Sequence, residues 1–355
     1  MISFLIVGSG YRSEYYGRIA KTYPDLFRAL FLCRSEEKVR LITHNTGIEA
    51  TTSLEAAISF APDFVVVAVD RGHVAEVAKE WALRGFPVVT ETPVAESMES
   101  LEQIWDLSQK QSAKIVCCEQ YYRHPMLSLG LSLVEKGLIG KPSTGYLSMV
   151  HDYHAASILR KMMLTCGEDY VIRGERKVSD VAATDSRYGA FYDGHIDKET
   201  RDIIHIDYAS GKSAIYDFSS VEYRSYIRSR HIVVRGERGE WNDRIIYYLD
   251  DNSNPQKKLL MPEIPEKYRI LDTQSLRDDR RTWQSELQLD TIQDEFAIAT
   301  MLLDMKDYID GGQSPYPLTE ALEDAVFWLM VQQAVLNPWK EIRLPERPWK
   351  SEPPA

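Results

Sequence analysis

The chain has 355 residues, with 42 Lys plus Arg against 53 Asp plus Glu and a formal net charge of −11. At about 100–200 residues per domain, that length implies two domains with sizeable cores. An acidic chain without a basic cluster is poorly suited to phosphate backbones, which argues against nucleic acid. No apolar run reaches the roughly 18 residues that span a bilayer, which argues against a membrane. Cys33, Cys117, Cys118 and Cys166 lack metal-ligand spacing, so reduced thiols and a cytoplasmic location are expected. The 20 Tyr suit sugar-like ligands, but they equally suit strands and interfaces.

Along residues 1–120, short β-branched runs alternate with amphipathic stretches, the pattern of βαβ units and a parallel sheet. Phe4–Val7 reads as the first strand, 13–22 as a helix, Ala29–Leu32 as the second strand and 36–45 as a second helix. Ser53 caps a short helix over 53–57. Phe64–Val69 is an unbroken apolar run, as a central strand buried on both faces requires. His73–Arg84 reads as a helix capped by Gly85, followed by a strand at 87–89, a helix at 100–110 and a strand at 114–118.

A helix over 127–136 then stops at Gly137, and a strand runs from Gly140 through Val150. Residues 203–208, 213–220 and 231–235 half-alternate, with a tight turn at Ala209-Ser-Gly-Lys212, so the middle third is expected to be an antiparallel sheet. Residues 250–290, with Pro255, Pro262 and Pro265, read as a long polar excursion. Helices at 291–309 and 319–335 follow, and the tail from Leu344, holding Pro345, Pro348, Pro353 and Pro354, is expected to be extended.

The first strand runs into Gly8-Ser-Gly10-Tyr11-Arg12-Ser13 and then a helix. Glycine at the first position permits a sharp turn, and at the second lets backbone approach a pyrophosphate. A small residue at the third permits close helix packing. The free N–H groups and the helix dipole would then hold a dinucleotide's phosphates. After the second strand an acid would bind the ribose 2′-OH of NAD, whereas an arginine accommodates the 2′-phosphate of NADP. This chain has Cys33-Arg34-Ser35, which tilts the expectation from NAD towards NADP through Arg34 and Ser35.

Residues 64–97, ending in Glu91-Thr92-Pro93, resemble the Gfo/Idh/MocA oxidoreductases, whose corresponding motif is Glu-Lys-Pro. Glu119-Gln-Tyr-Tyr-Arg-His-Pro125, Gly137-Leu-Ile-Gly-Lys-Pro142 and Arg235-Gly-Glu-Arg-Gly239 resemble further landmarks of that family in the same order. The resemblance implies an α/β Rossmann domain, placed here at 1–122. It also implies an α+β substrate and oligomerisation domain at 123–355, with a large, mostly antiparallel open sheet and C-terminal helices that can pack back on the first domain. A nicotinamide cofactor, a sugar-like or cyclitol substrate, and a homodimer or homotetramer formed through the sheet follow from it.

Two departures stand out. The family's motif lysine is Thr92, which carries no charge and is a poor base. The Asp-x-x-x-His pair of many members is matched only by His154, because position 150 is Val. His154 is therefore the leading acid/base, with His151 second and Tyr153 and Thr92 beside them. No third ligand joins the two histidines, so no metal is expected. Tyr11, Arg12, Asp70, His73, Glu91, Pro93 and Glu119 are expected with Gly8, Gly10 and Ser13 at the cofactor. Tyr121, Tyr122 and Arg123 follow a strand end and are expected at the substrate, while Arg160 and Lys161 read as a charge pair on an exposed helix face. The expected activity is NAD(P)-dependent hydride transfer at a sugar carbinol. The alternatives are a redox-neutral lyase or glycosidase with tightly bound NAD, or a catalytically silent cofactor- or sugar-sensing protein.

Overall fold

The computed structural model describes residues 1–186, 189–261, 264–271 and 291–351. Its first unit comprises β1 (Ile2–Val7), α1 (Tyr11–Thr22), β2 (Phe27–Leu32), α2 (Glu36–Thr46), β3 (Ala50–Thr51), α3 (Leu54–Ser59), β4 (Phe64–Val67), α4 (Val74–Leu83), β5 (Val88–Thr90), α5 (Met98–Gln111) and β6 (Ile115–Cys117). All six strands pair in parallel in the order β3-β2-β1-β4-β5-β6. The order reverses between β1 and β4, and a parallel sheet opens its ligand crevice beyond the strand ends at that point. β4 is buried along its whole length, as its apolar run requires. Side chains of Ser35, Ser53 and Ser97 cap α2, α3 and α5.

The chain continues through α6 (Pro125–Glu135), β7 (Pro142–Ser148), α7 (Asp152–Met163), β8 (Tyr170–Ala182), β9 (Asp185–Ser186), β10 (Gly189–Ala190), β11 (Ile196–Tyr208), β12 (Ser213–Ser219), β13 (His231–Gly236), β14 (Gly239–Asn242), β15 (Ile245–Leu249) and β16 (Pro255–Leu259). It ends with α8 (Thr291–Ile309), α9 (Leu318–Leu336) and β17 (Ile342–Arg343). Nine strands form one sheet in the order β16-β15-β14-β13-β7-β12-β11-β8-β17. Pairing is antiparallel except between β7 and β12. The parallel pair arises because α7 and the β8–β11 hairpin intervene between those strands.

Sequence periodicity misses β8 entirely: its outer positions are charged, and only thirteen consecutive pairings with β11 make it a strand. Within the expected excursion, residues 255–259 are β16, paired with β15. Pro262 and residues 272–290 of that stretch lie outside the described residues. The tail is not simply extended. Residues 348–351 make a 3-10 turn that buries Trp349 and brings its Nε1 to Glu323 Oε1 at 2.7 Å, while Pro353 and Pro354 lie outside the described residues.

Helix α7 is enclosed by the sheet and by α9, so ten of its twelve residues are buried. That enclosure corrects the reading of Arg160 as exposed. Its guanidinium is buried against Asp324, donates to Tyr316 Oη at 2.9 Å and reaches the Glu320 carbonyl at 3.3 Å. Lys161 bonds Glu320 at 3.1 Å. Removing one partner of a buried ion pair costs about 3–5 kcal/mol, because the other charge stays desolvated. Asp324→Ala is therefore expected to destabilise the fold by about that amount in urea denaturation. A loss under about 1 kcal/mol would show that Glu320 or solvent takes over the charge.

The C-terminal helices also bridge the two sheets, α8 packing against α1, and α9 against α5 and β6. Among the described residues no helix is long and apolar enough to cross a membrane.

Candidate active site

At the end of β1, Gly8 has φ +133, and a Cβ there would stand 2.2 Å from the Ala68 carbonyl oxygen at the end of β4. Only glycine lets these two strand ends approach so closely. Gly10 differs: its φ is −92, and a Cβ would meet no protein atom within 4 Å, so the fold itself does not demand glycine there. It precedes α1, whose start has no side-chain cap, leaving backbone N–H groups for an anion. Ser13 is buried and turns inward, its Oγ donating to Gly10 O at 2.6 Å. The close helix–strand approach expected at Ser13 occurs one turn later. A Cβ on Gly17 would be 2.9 Å from the Phe31 ring.

This turn forms part of a cavity of about 1210 Å³ that continues to the α7 start and the β12–β13 connection. It exceeds the roughly 300–1000 Å³ of a small-molecule pocket, so it can take a dinucleotide together with a second ligand. Beyond β2 it is lined by Arg34, Lys38, Thr52 and Leu54. Glu36 bonds Thr52 Oγ1 at 2.7 Å and does not line it. Asp70 lines the cavity at the end of β4, its carboxylate accepting from Gly72 N at 3.2 Å.

At the other end, Arg12 grips Glu91 with Nε–Oε2 3.1 Å and Nη2–Oε1 3.3 Å, and reaches Asp294 Oδ2 at 3.3 Å. Tyr16 donates to Glu91 Oε1 at 2.6 Å, and Asp294 Oδ1 lies 3.0 Å from His124 Nε2. Although burial opposes ionisation, His124 and Arg12 hold the Asp294 carboxyl well below the usual range. Asp294 comes from α8, so the C-terminal helix completes a site begun on α1. The Thr92–Pro93 peptide is cis, and Thr92 lines the cavity together with Tyr153.

His151 and His154 both line the cavity, in different situations. Tyr223 Oη accepts the His151 backbone N–H at 2.9 Å and lies 2.5 Å from His151 Nδ1, while His151 Nε2 is 3.0 Å from Tyr153 Oη. Both ring nitrogens of His151 are thus engaged by tyrosine hydroxyls. Burial and neighbouring cations keep this imidazole neutral, far below its usual pKa.

His154 Nδ1 is 2.5 Å from Glu119 Oε2, whose other oxygen accepts from Tyr121 N at 3.0 Å. Among the described residues His154 Nε2 has no protein partner, so it is the ring atom available to a ligand. Burial pushes the Glu119 carboxyl up, to about 8, and pushes the imidazole down. Both shifts favour one shared proton across the contact rather than an exposed ion pair.

The remaining expected residues divide sharply. Gly8, Gly10, Tyr11, Arg12, Arg34, Asp70, Glu91, Thr92, Tyr121, His151, Tyr153 and His154 line one cavity. Ser13, Ser35, His73, Pro93 and Glu119 do not: Ser35 is spent capping α2, His73 lies on an exposed turn 3.8 Å from Asp70, and Glu119 acts on His154 rather than on a cofactor. Tyr122 and Arg123 are not substrate-facing either. The 3-10 turn at 121–123 sends only Tyr121 inward. Tyr122 donates to Pro315 O at 2.9 Å, and Arg123 bonds Asp304 at 2.7 Å. Sequence reasoning missed Lys38, Arg71, Tyr223, Arg230 and Asp294. Only Lys38, one helical turn after Arg34, carried a local signal.

A parallel sheet with a glycine turn at its switch point, joined to a large open sheet that closes the same cavity, defines a two-domain dinucleotide-binding protein. Residues 2–118 match the model of the Gfo/Idh/MocA family, an oxidoreductase family with an NAD-binding Rossmann fold. No curated protein sequence matches it significantly. Similar solved structures include an oxidoreductase from Agrobacterium radiobacter in complex with NAD+, L-tartaric acid and magnesium, 14% identical with TM-score 0.68 over 97% of this chain and 98% of that one. Levoglucosan dehydrogenase in complex with NADH and levoglucosan is 14% identical with TM-score 0.70 over 97% and 100%. An oxidoreductase domain protein from Kribbella flavida is 14% identical with TM-score 0.68 over 97% and 99%. These likenesses extend the shared fold across both domains.

Proposed function

We propose that the protein is a nicotinamide-dependent dehydrogenase that moves hydride between its cofactor and a carbinol carbon of a sugar- or polyol-like substrate. The observation that carries this reading is the cavity shared by the Gly8–Gly10 turn and His154, whose Nδ1 is fixed by Glu119. Polyhydroxylated ligands in similar structures, levoglucosan and L-tartaric acid, support the substrate class.

The glycine turn and the start of α1 would hold the diphosphate, and Arg12–Glu91 would border the nicotinamide ribose. The nicotinamide, when bound, supplies the hydride acceptor or donor. Thr92 and Tyr153 hydroxyls orient the reacting hydroxyl, and His154 Nε2 takes or returns its proton. His151, engaged at both nitrogens, holds Tyr153 in place. Thr92 cannot supply the charge of the family's lysine, so the proton-transfer duty falls on the His154–Glu119 pair.

The test is nicotinamide absorbance with NAD+ and NADP+ across a panel of sugars, polyols and sugar acids. Substrate-dependent reduction supports the reading. Cofactor binding without turnover would replace it with a sensing protein, and bound cofactor that never exchanges would favour a redox-neutral lyase or glycosidase.

Two cations and no β2–α2 carboxylate beside them favour NADP. Hydrogen bonds to a charged group contribute about 1.5–3 kcal/mol, so Arg34→Asp is expected to raise KM for NADP+ roughly 10–100-fold while leaving NAD+ little changed. An unaltered preference removes Arg34 from the argument. The face of the nine-stranded sheet carrying Tyr146, Asp217 and Arg201 is proposed to pair with a second copy, which sedimentation would show as a dimer or tetramer.

A further inference from the structure

Asp294, on the first turn of α8, meets both halves of the site. Arg12 Nη1 donates to its Oδ2 at 3.3 Å, and its Oδ1 lies 3.0 Å from His124 Nε2. Arg12 has two further contacts on Glu91, so Asp294 is not its only anchor. His124 has less in reserve. Its side chain is 1% exposed and its Nδ1 has no partner among the described residues, so the polar anchoring of this ring falls on Nε2 and Asp294.

His124 in turn anchors the turn beneath the His154–Glu119 pair. Its ring stacks on that of Tyr121, with centroids 5.1 Å apart and planes 10° from parallel, and its backbone N–H donates to Tyr121 O at 3.0 Å. Tyr121 supports both members of the pair. Its N–H donates to Glu119 Oε1 at 3.0 Å, and its ring centroid lies 4.4 Å from that of His154. A continuous set of contacts therefore runs from the C-terminal helix to the atoms that share the proton.

We propose that Asp294 is a positioning residue for the His154–Glu119 pair, holding through His124 the turn on which both members rest. The proposal rests on the dehydrogenase reading for turnover, whereas ionisation of the pair is measured without it. The charge of Asp294 works in the same place. Arg12 and His124 keep the carboxyl ionised, and this fixed negative charge favours the protonated form of both Glu119 and His154. Arg12 from α1, His124 and Arg160 from α7 oppose that form, and Glu91 beyond β5 favours it. His151 at the α7 start and Asp324 from α9 also face the pair.

The experiment compares wild type, Asp294→Asn, Asp294→Glu and His124→Phe. The single-turnover rate is followed across the pH step of the pair, NADPH affinity by fluorescence, and the His154 imidazole by an NMR titration assigned through its loss in His154→Ala. Asp294→Asn should lower the rate about 10-fold or more, leave the NADPH Kd within a few fold because Arg12 still grips Glu91, and move the step to lower pH by about half a unit or more. Asp294→Glu keeps the charge, so its step should stay at the wild-type pH while the rate falls through altered geometry. His124→Phe keeps a stacked ring but loses the bond to Asp294, so it should lower the rate with NADPH affinity intact. An unmoved step in Asp294→Asn, or NADPH affinity falling in proportion to the rate, overturns the proposal and leaves Asp294 a structural partner of Arg12. If Asp294→Asn fails to fold, His124→Phe decides: an undiminished rate overturns the proposal. A shifted His154 titration without turnover in any form supports the positioning role and overturns the dehydrogenase reading instead.

Discussion

His154→Ala is expected to lower kcat by about 10²–10⁴, the usual contribution of a positioned acid/base, with cofactor affinity within a few fold of wild type. Single-turnover absorbance and a fluorescence titration of NADPH separate the two quantities. A change confined to KM would return His154 to a packing role and promote His151 or Tyr153.

The Glu119 contact gives this prediction a sign in pH. Below about 8 the dyad keeps its shared proton, and Nε2 carries hydrogen and acts as a donor, which suits carbonyl reduction. As pH rises through about 8 the dyad loses one proton and Nε2 becomes an acceptor, which suits alcohol oxidation. Oxidation should therefore rise, and reduction fall, across that pH. Glu119→Gln keeps the shape and loses the titration, so the pH step should disappear along with about 10-fold or more of kcat. A Glu119→Gln enzyme with the wild-type profile would place the step on another group.

Gly8→Ala is the second large effect. The added Cβ meets the Ala68 carbonyl at 2.2 Å, and the backbone at φ +133 is one that side-chain-bearing residues rarely adopt. The conformation alone costs about 1–3 kcal/mol, and the clash forces β1 and β4 apart where the diphosphate would sit. Loss of NADPH binding by at least about 10-fold is expected, together with a lower thermal midpoint. Gly10→Ala is the informative control, because no protein atom lies within 4 Å of its Cβ and its φ is ordinary. It should leave stability nearly unchanged and weaken only the dinucleotide. Undiminished NADPH affinity in Gly10→Ala would mean that no ligand approaches that backbone.

Local order was legible where one short segment contains the whole physical requirement. The β1 turn needs glycines in a fixed order after an apolar strand, and β4 needs an unbroken apolar run because both its faces are covered. The residues of the site that belong to such segments, from Gly8 to Arg34 and from Glu91 to His154, could be named in advance. What one segment does with its neighbour could not. Tyr121 and Tyr122 are adjacent in sequence, yet a 3-10 turn sends one into the cavity and the other to Pro315. Arg160 reads as exposed until α9 covers it.

Where the family's pattern has an acid this chain has Val150, and His154 meets Glu119 from the end of β6 instead, while Arg12 is matched by Asp294, from a helix 282 residues away. Sequence alone determined the two-domain plan, the dinucleotide turn and the histidine pair, because helix and strand periodicity and turn stereochemistry act over a few residues. Only the tertiary structure decided which charges meet, which histidine is engaged at both nitrogens and which arginines line the cavity. Those depend on distances between elements that no local pattern records.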